Sequence, residues 1–138
     1  MFWILIGIFI AYKFLDWIIR IPLRTKYNDK QILITGCDTG FGNILAKRLA
    51  KKGCHVIAAC LTEKGEDELK KECPNNLTTV SMNVAKTESI QKAYESVRTC
   101  VPVDKGLWAL VNNAGLVGRV GPTEWLTLAD YEEVRSIS

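Results

Sequence analysis

The stretch Gln31-Ile-Leu-Ile-Thr-Gly-Cys-Asp-Thr-Gly-Phe-Gly42 decides the fold. Ile32-Leu33-Ile34 is a short apolar run with the length and branching of a buried strand, and it leads directly into Gly36, Gly40 and Gly42. The helical pattern Ile44, Leu45, Lys47, Arg48, Leu49 follows at once. Strand, glycine turn and helix in succession bring backbone N–H groups and the positive end of a helix dipole to one point, where they can hold a pyrophosphate. Glycine suits that place because a side chain would keep the phosphates away. The spacing Gly-x-x-x-Gly-x-Gly after Thr35 is not the Gly-x-Gly-x-x-Gly dinucleotide fingerprint, so an ordinary strand-to-helix turn stays open on this stretch alone.

A second motif lies downstream at Leu107-Trp-Ala-Leu-Val-Asn-Asn-Ala-Gly115, another apolar strand that ends in amides and small residues. Thr-Gly-x-x-x-Gly-x-Gly on a first strand and Asn-Asn-Ala-Gly closing a fourth resemble the short-chain dehydrogenase/reductase family. The wording around them, including Ala58-Ala-Cys-Leu-Thr-Glu-Lys-Gly65, is similar to the microsomal retinol and hydroxysteroid dehydrogenase branch. The resemblance runs over roughly residues 28 to 134, with two motifs in the right order on the right elements.

Composition narrows the field. A chain of 138 residues holds one domain at most, and the family's catalytic domain needs considerably more. A net charge of +3 with 24% charged residues is mild, and Lys51-Lys52 or Lys70-Lys71 read as solvated helix faces, so nucleic acid is not expected. Cys37, Cys54, Cys60, Cys73 and Cys100 are scattered, with no Cys-x-x-Cys pair and only His55 as an imidazole. They suggest buried apolar thiols rather than a disulfide framework or a metal site.

Residues 1 to 12 carry no side-chain charge and read as a membrane segment. At 1.5 Å per residue that segment reaches roughly 18 Å, short of the roughly 30 Å hydrocarbon core. A full span must recruit Lys13, Asp16 and Arg20. Roughly −6 kcal/mol of apolar insertion is then set against about +5 kcal/mol for Lys13 and Asp16 near the centre. Lys13, Asp16, Arg20 and Arg24 follow helical spacing and make one polar stripe. The expectation is an inserted apolar tip continuing into an amphipathic interfacial helix that ends at Pro22, with a full span as the competitor. The basic flank Arg20, Arg24, Lys26, Lys30 points to a cytosolic domain, while the sequon Asn76-Leu77-Thr78 is usable only in a lumen; the side stays open. No basic leader or Ala-x-Ala-like site supports a cleaved signal peptide.

Alternating units follow. Strands are expected at about 31–35, 55–60, 77–84 and 107–111, and helices at about 42–52, 63–72 and 87–100, with Gly53 and Pro74 as stops. Thr127 to Asp130 opens a last helix with a capping box. This alternation predicts an α/β fold with a parallel sheet and right-handed crossovers. By analogy it is a partial Rossmann fold, about four strands of a doubly wound sheet in the order 3-2-1-4, preceded by an N-terminal membrane helix. The expected organisation is an anchor helix over 1–21, a basic linker over 22–30 and a truncated dinucleotide-binding domain over 31–138. His55 reads as a packed strand residue, since nothing beside it forms a triad.

The resemblance implies a nicotinamide cofactor, with Gly36, Asp38, Thr39, Gly40, Phe41 and Gly42 at its diphosphate, Leu61 and Asn83 near the adenosine, and Asn113, Ala114 and Gly115 along the ribose. Cys60-Leu-Thr-Glu-Lys64 lacks the acidic residue that usually takes a free ribose hydroxyl. Asp38 would repel a 2′-phosphate by about 1 kcal/mol or more per charge at 4 Å even in water, which favours NAD over NADP, although Lys64 could reverse this. Asn83 stands where the family has an adenine-binding Asp, and its carbonyl oxygen could accept the same bond.

The resemblance further implies hydride transfer between an alcohol and nicotinamide, with a Tyr base whose pKa a Lys four residues on lowers, helped by a Ser and an Asn. None of Tyr12, Tyr27, Tyr94 and Tyr131 has such a lysine; Arg98 and Arg135 after the last two read as helix neighbours. The tail from Val134 to Ser138 departs from the family pattern, with Ser138 about where the relay Asn belongs. The expectation is therefore the cofactor-binding part of an endoplasmic-reticulum, NAD-dependent dehydrogenase of retinol or hydroxysteroids, with no catalytic residues and inactive alone. Its partners would be the cofactor, the lipid bilayer, an apolar alcohol only in a longer form, and, in a homo-oligomer, a second copy. The alternative is a non-catalytic, membrane-tethered half-domain that pairs through its fourth strand.

Overall fold

The computed structural model describes residues 2–20, 28–73 and 75–137. The expected stops at Pro22 and Pro74, most of the basic linker, and Ser138 lie outside the described residues. Helix α1 (Phe2–Arg20) comes first, followed by β1 (Gln31–Thr35), α2 (Gly40–Lys51), β2 (His55–Cys60), α3 (Glu63–Glu72), β3 (Leu77–Ser81), α4 (Thr87–Cys100), β4 (Ala109–Val111) and α5 (Leu128–Ile137). A short 3-10 turn, Thr123–Trp125, precedes α5 and has no counterpart in the sequence reading.

The four strands are parallel and ordered β3-β2-β1-β4. Every connection therefore crosses over through a helix, as parallel neighbours require. Side chains alternate between the two faces of the central strands. Ile32 and Ile34 join Val56, Ala58, Cys60, Ala46 and Leu69 in one core, while Leu33, Ile57 and Ala59 join Val80, Ala93 and Val97 in the other. Because β1 and β2 are covered on both faces, they read as unbroken apolar runs rather than alternating ones.

Several boundaries differ from expectation. Helix α2 starts at Gly40, two residues early, because Thr39 already has the extended backbone of a cap. Strand β3 stops at Ser81 rather than Val84: Met82 N–H still reaches Cys60 O at 2.8 Å, but Asn83 then turns the chain by accepting the Ala85 N–H at 3.0 Å. Strand β4 keeps three residues of ladder, although Trp108 N–H extends the pairing with a 2.9 Å bond to Gln31 O.

Two readings of single residues need correction. Cys37, Cys54, Cys60 and Cys73 are buried and free, whereas Cys100, at the end of α4, is exposed. His55 is not packed inside: it opens β2 with a half-exposed side chain, its Nε2 3.5 Å from an Asp29 carboxylate oxygen.

Among the described residues no helix is long and apolar enough to cross a membrane. Helix α1 nevertheless exposes Phe9, Ile10, Phe14, Leu15 and Trp17 by more than half each. Lys13 Nζ lies 5.7 Å over the Phe9 ring.

Candidate functional site

The site forms where β1 ends. Thr35 is buried, and its hydroxyl accepts N–H bonds from Asn113 at 3.0 Å and Ala114 at 2.9 Å. The Asn113 side chain returns the link, donating Nδ2 to Thr35 O at 2.9 Å and Gly36 O at 3.0 Å. These bonds lock the loop after β4 to the turn after β1, across a sequence gap that no local pattern reports.

The glycines follow from this closeness. Gly36 has φ of +67°, and a Cβ on it would lie 2.8 Å from Ala114 Cα. Gly42 is buried, and a Cβ there would be driven into Asn113 Nδ2 and Gly36 O. Gly40 differs: its φ is +66° but its missing Cβ would meet only open space, so this glycine keeps the cavity mouth clear as well as making the bend. Thr39 caps α2 through its backbone position without a side-chain cap bond. First-turn N–H groups of a helix lack intrahelical partners, and a ligand can take them.

Asp38 reaches across to the next unit. Its carboxylate accepts from Leu61 N–H at 2.7 Å, Thr62 N–H at 2.8 Å and the Thr62 hydroxyl at 2.7 Å, at the N-terminus of α3. Burial acts to raise its pKa, but the bonds from Thr62 and Leu61 outweigh it and hold the carboxyl below its ordinary value. Gly65 lies against this residue, its missing Cβ 2.8 Å from Asp38 Oδ1. Beneath the turn, burial first and the Asp38 charge second push the Cys37 thiol up to about 12. Cys60 is likewise pushed up to about 12, again mainly by burial. Neither is a nucleophile at neutral pH.

All of the residues expected in the cofactor site except Gly42 surround one cavity of about 380 Å³. Gly42 lies underneath and shapes the turn. Met82, Val84, Leu116 and Ile137 also line it and were missed by sequence reasoning. The first two sit just past β3, where an apolar run signalled strand rather than wall; Ile137 arrives by the placement of α5, which no local signal gives. Asn83 lines the cavity with its Oδ1 already accepting the Ala85 N–H, and its own N–H is held by Ser89 Oγ at 2.8 Å.

Among the described lining residues only Asp38 ionises, and its carboxylate accepts bonds from Leu61 and Thr62 at the start of α3. The cavity presents backbone around Gly36 and Gly40 to a ligand. No cluster of three or more His, Cys, Asp or Glu among the described residues could hold a metal.

A parallel sheet in this order, with a ligand cavity at the carboxyl ends of β1 and β4 where the strand order reverses, defines a Rossmann-type dinucleotide-binding unit. A family model described as short chain dehydrogenase matches residues 30–138, and the chain belongs to that family. It is 48% identical over 134 residues to human dehydrogenase/reductase SDR family member 9, covering 96% of this chain and 41% of that protein. It is 42% identical over 137 residues to human retinol dehydrogenase 16, covering 99% and 43%. To the bovine (Bos taurus) 17-beta-hydroxysteroid dehydrogenase type 6 it is 40% identical over 137 residues, again covering 99% and 43%. The chain thus spans less than half the length of these relatives. Among solved structures, it superposes on a 3-ketoacyl-(acyl-carrier-protein) reductase from Brucella melitensis complexed with NADH, with TM-score 0.72, 26% identity and coverage of 80% of this chain and 45% of the other.

The fold family implies a nicotinamide cofactor, and the residues present fit one. The open space at Gly40, the uncapped start of α2 and a 380 Å³ volume suit the adenosine diphosphate part of such a molecule.

Proposed function

We propose that this chain is the cofactor-binding part of a membrane-associated, NAD-dependent dehydrogenase that oxidises retinol or hydroxysteroids. The observation that carries the reading is the glycine turn locked by Asn113 against the cavity. Backbone N–H groups from Thr39 to Gly42 would face the diphosphate, Leu61 and Asn83 the adenosine, and Asn113 to Gly115 the ribose. When bound, the nicotinamide supplies a hydride acceptor. This chain's own residues bind and orient; they offer no base. The alcohol class rests on what the relatives' names say of the relatives.

The preference for NAD rests on Asp38. Its carboxylate occupies the anion-favouring start of α3 and is held ionised, so a 2′-phosphate brought to that end meets a fixed negative charge. Lys64, the cation that could offset it, lies 3.9 Å from Glu68 one turn along its own helix. Helix α1 is read as lying in the lipid interface, with its exposed aromatic and aliphatic side chains toward the acyl region. An endoplasmic-reticulum membrane suits such apolar substrates.

Calorimetry in detergent with NAD, NADP and ADP, beside a turnover assay with retinols and androgens, tests the reading. NAD and ADP are expected to bind with similar, weaker than micromolar affinity, because both offer the same adenosine diphosphate to this cavity. NADP is expected to bind more weakly still, with no turnover above a heat-treated control. Tighter NADP than NAD binding would overturn the cofactor assignment, and turnover by this chain would overturn the division of labour.

A further inference from the structure

Asn43 stands one residue beyond the last glycine, half-buried in the first turns of α2. Its Nδ2 donates to Cys37 O at 3.0 Å and to Asp38 O at 3.3 Å. Both partners are carbonyls, which only accept, so the amide orientation is fixed by chemistry. In a planar trans peptide the C=O and the N–H of the same unit point to opposite sides. Pinning the Cys37 and Asp38 carbonyls toward α2 therefore turns the next two N–H groups, those of Asp38 and Thr39, away from the helix. The first of these faces its own carboxylate, one of the hydrogen bonds that hold Asp38 ionised. The second belongs to a residue that lines the cavity.

We infer that Asn43 is a positioning residue for the diphosphate: it touches no ligand, and it aims the Thr39 N–H into the cavity by holding the two preceding carbonyls back. This deepens the dinucleotide reading and rests on it. Without the strap, the 37–38 and 38–39 peptides can rotate, and the donor is lost along with the Asp38 alignment. Asp38 ties the turn to α3 and Asn113 ties it to β4, so Asn43 is the third tether and the one that sets peptide orientation.

The test uses ADP, which keeps the diphosphate and omits the nicotinamide, and the ¹⁵N-labelled full chain in detergent. ADP is expected to shift the Thr39 amide resonance. Asn43→Asp, isosteric but charged and without donors, is expected to weaken ADP about tenfold and to lower the unfolding temperature by several degrees, consistent with losing two hydrogen bonds and leaving two carbonyls unpaired. Asn43→Gln, which keeps the amide one methylene further out, is expected to recover most of the affinity. Equal ADP affinity in Asn43→Asp and the natural chain, or a loss in Asn43→Gln as large as in Asn43→Asp, would overturn the inference. If Asn43→Asp does not fold, the natural chain decides: ADP shifts among the turn amides that leave Thr39 unmoved would refute the role of Asn43. No ADP-dependent shift anywhere would sink the dinucleotide reading beneath it.

Discussion

Asp38 ties the glycine turn to the start of α3, and the proposed preference for NAD rests on the same carboxylate. Three donors converge on its carboxylate, two of them backbone N–H groups at the start of α3. Its folded pKa lies below the ordinary value near 3.9, so near pH 4 the unfolded chain binds more protons than the folded one. The stability it contributes is present above that ordinary value and is lost as pH falls through the lower folded value. Acid titration followed by chemical denaturation at each pH is expected to show a stability loss below about pH 4 that is smaller in Asp38→Asn. An unchanged pH profile in that variant would contradict the role given to the carboxylate. The sequence pointed to Asp38 as a charge near the ribose but not as a tether, because its partners lie 23 and 24 positions away and carry no local signature.

At the scale of elements, most of the fold was legible because buried strands and amphipathic helices have different periods. β1, β2 and α3 match their sequence boundaries, and the Thr127–Asp130 capping box forms, with Thr127 N–H on Asp130 Oδ2 at 2.7 Å. What escaped was set by tertiary contact: the early end of β3, the 3-10 turn before α5, and the cavity walls at Met82, Val84, Leu116 and Ile137. Gly65 stands in a Glu- and Lys-rich helix because Asp38 approaches too closely to leave room for a Cβ there. Helix α1 carries the membrane part of the account. Mixed with phospholipid vesicles, the chain is expected to shift its tryptophan emission to the blue, because Trp17 is 60% exposed without lipid. Emission unchanged by vesicles would remove the interfacial assignment.

Across the whole molecule, the cavity is made jointly by two motifs far apart in the chain, the glycine turn after β1 and the Asn-Asn-Ala-Gly loop after β4. Long-range bonds between Thr35 at the end of β1 and the loop after β4 order the glycine turn. Among the described residues that line the cavity one side chain is ionisable, Asp38, and its carboxylate is tied to the start of α3. The chain spans less than half the length of the relatives it matches. The measurement that bears most directly on the central claim is a ¹H–¹⁵N titration of the full chain with NAD. Shifts concentrated at residues 36–42, 61–62 and 113–115 are predicted; shifts scattered over surface lysines, with the glycine turn silent, would contradict it.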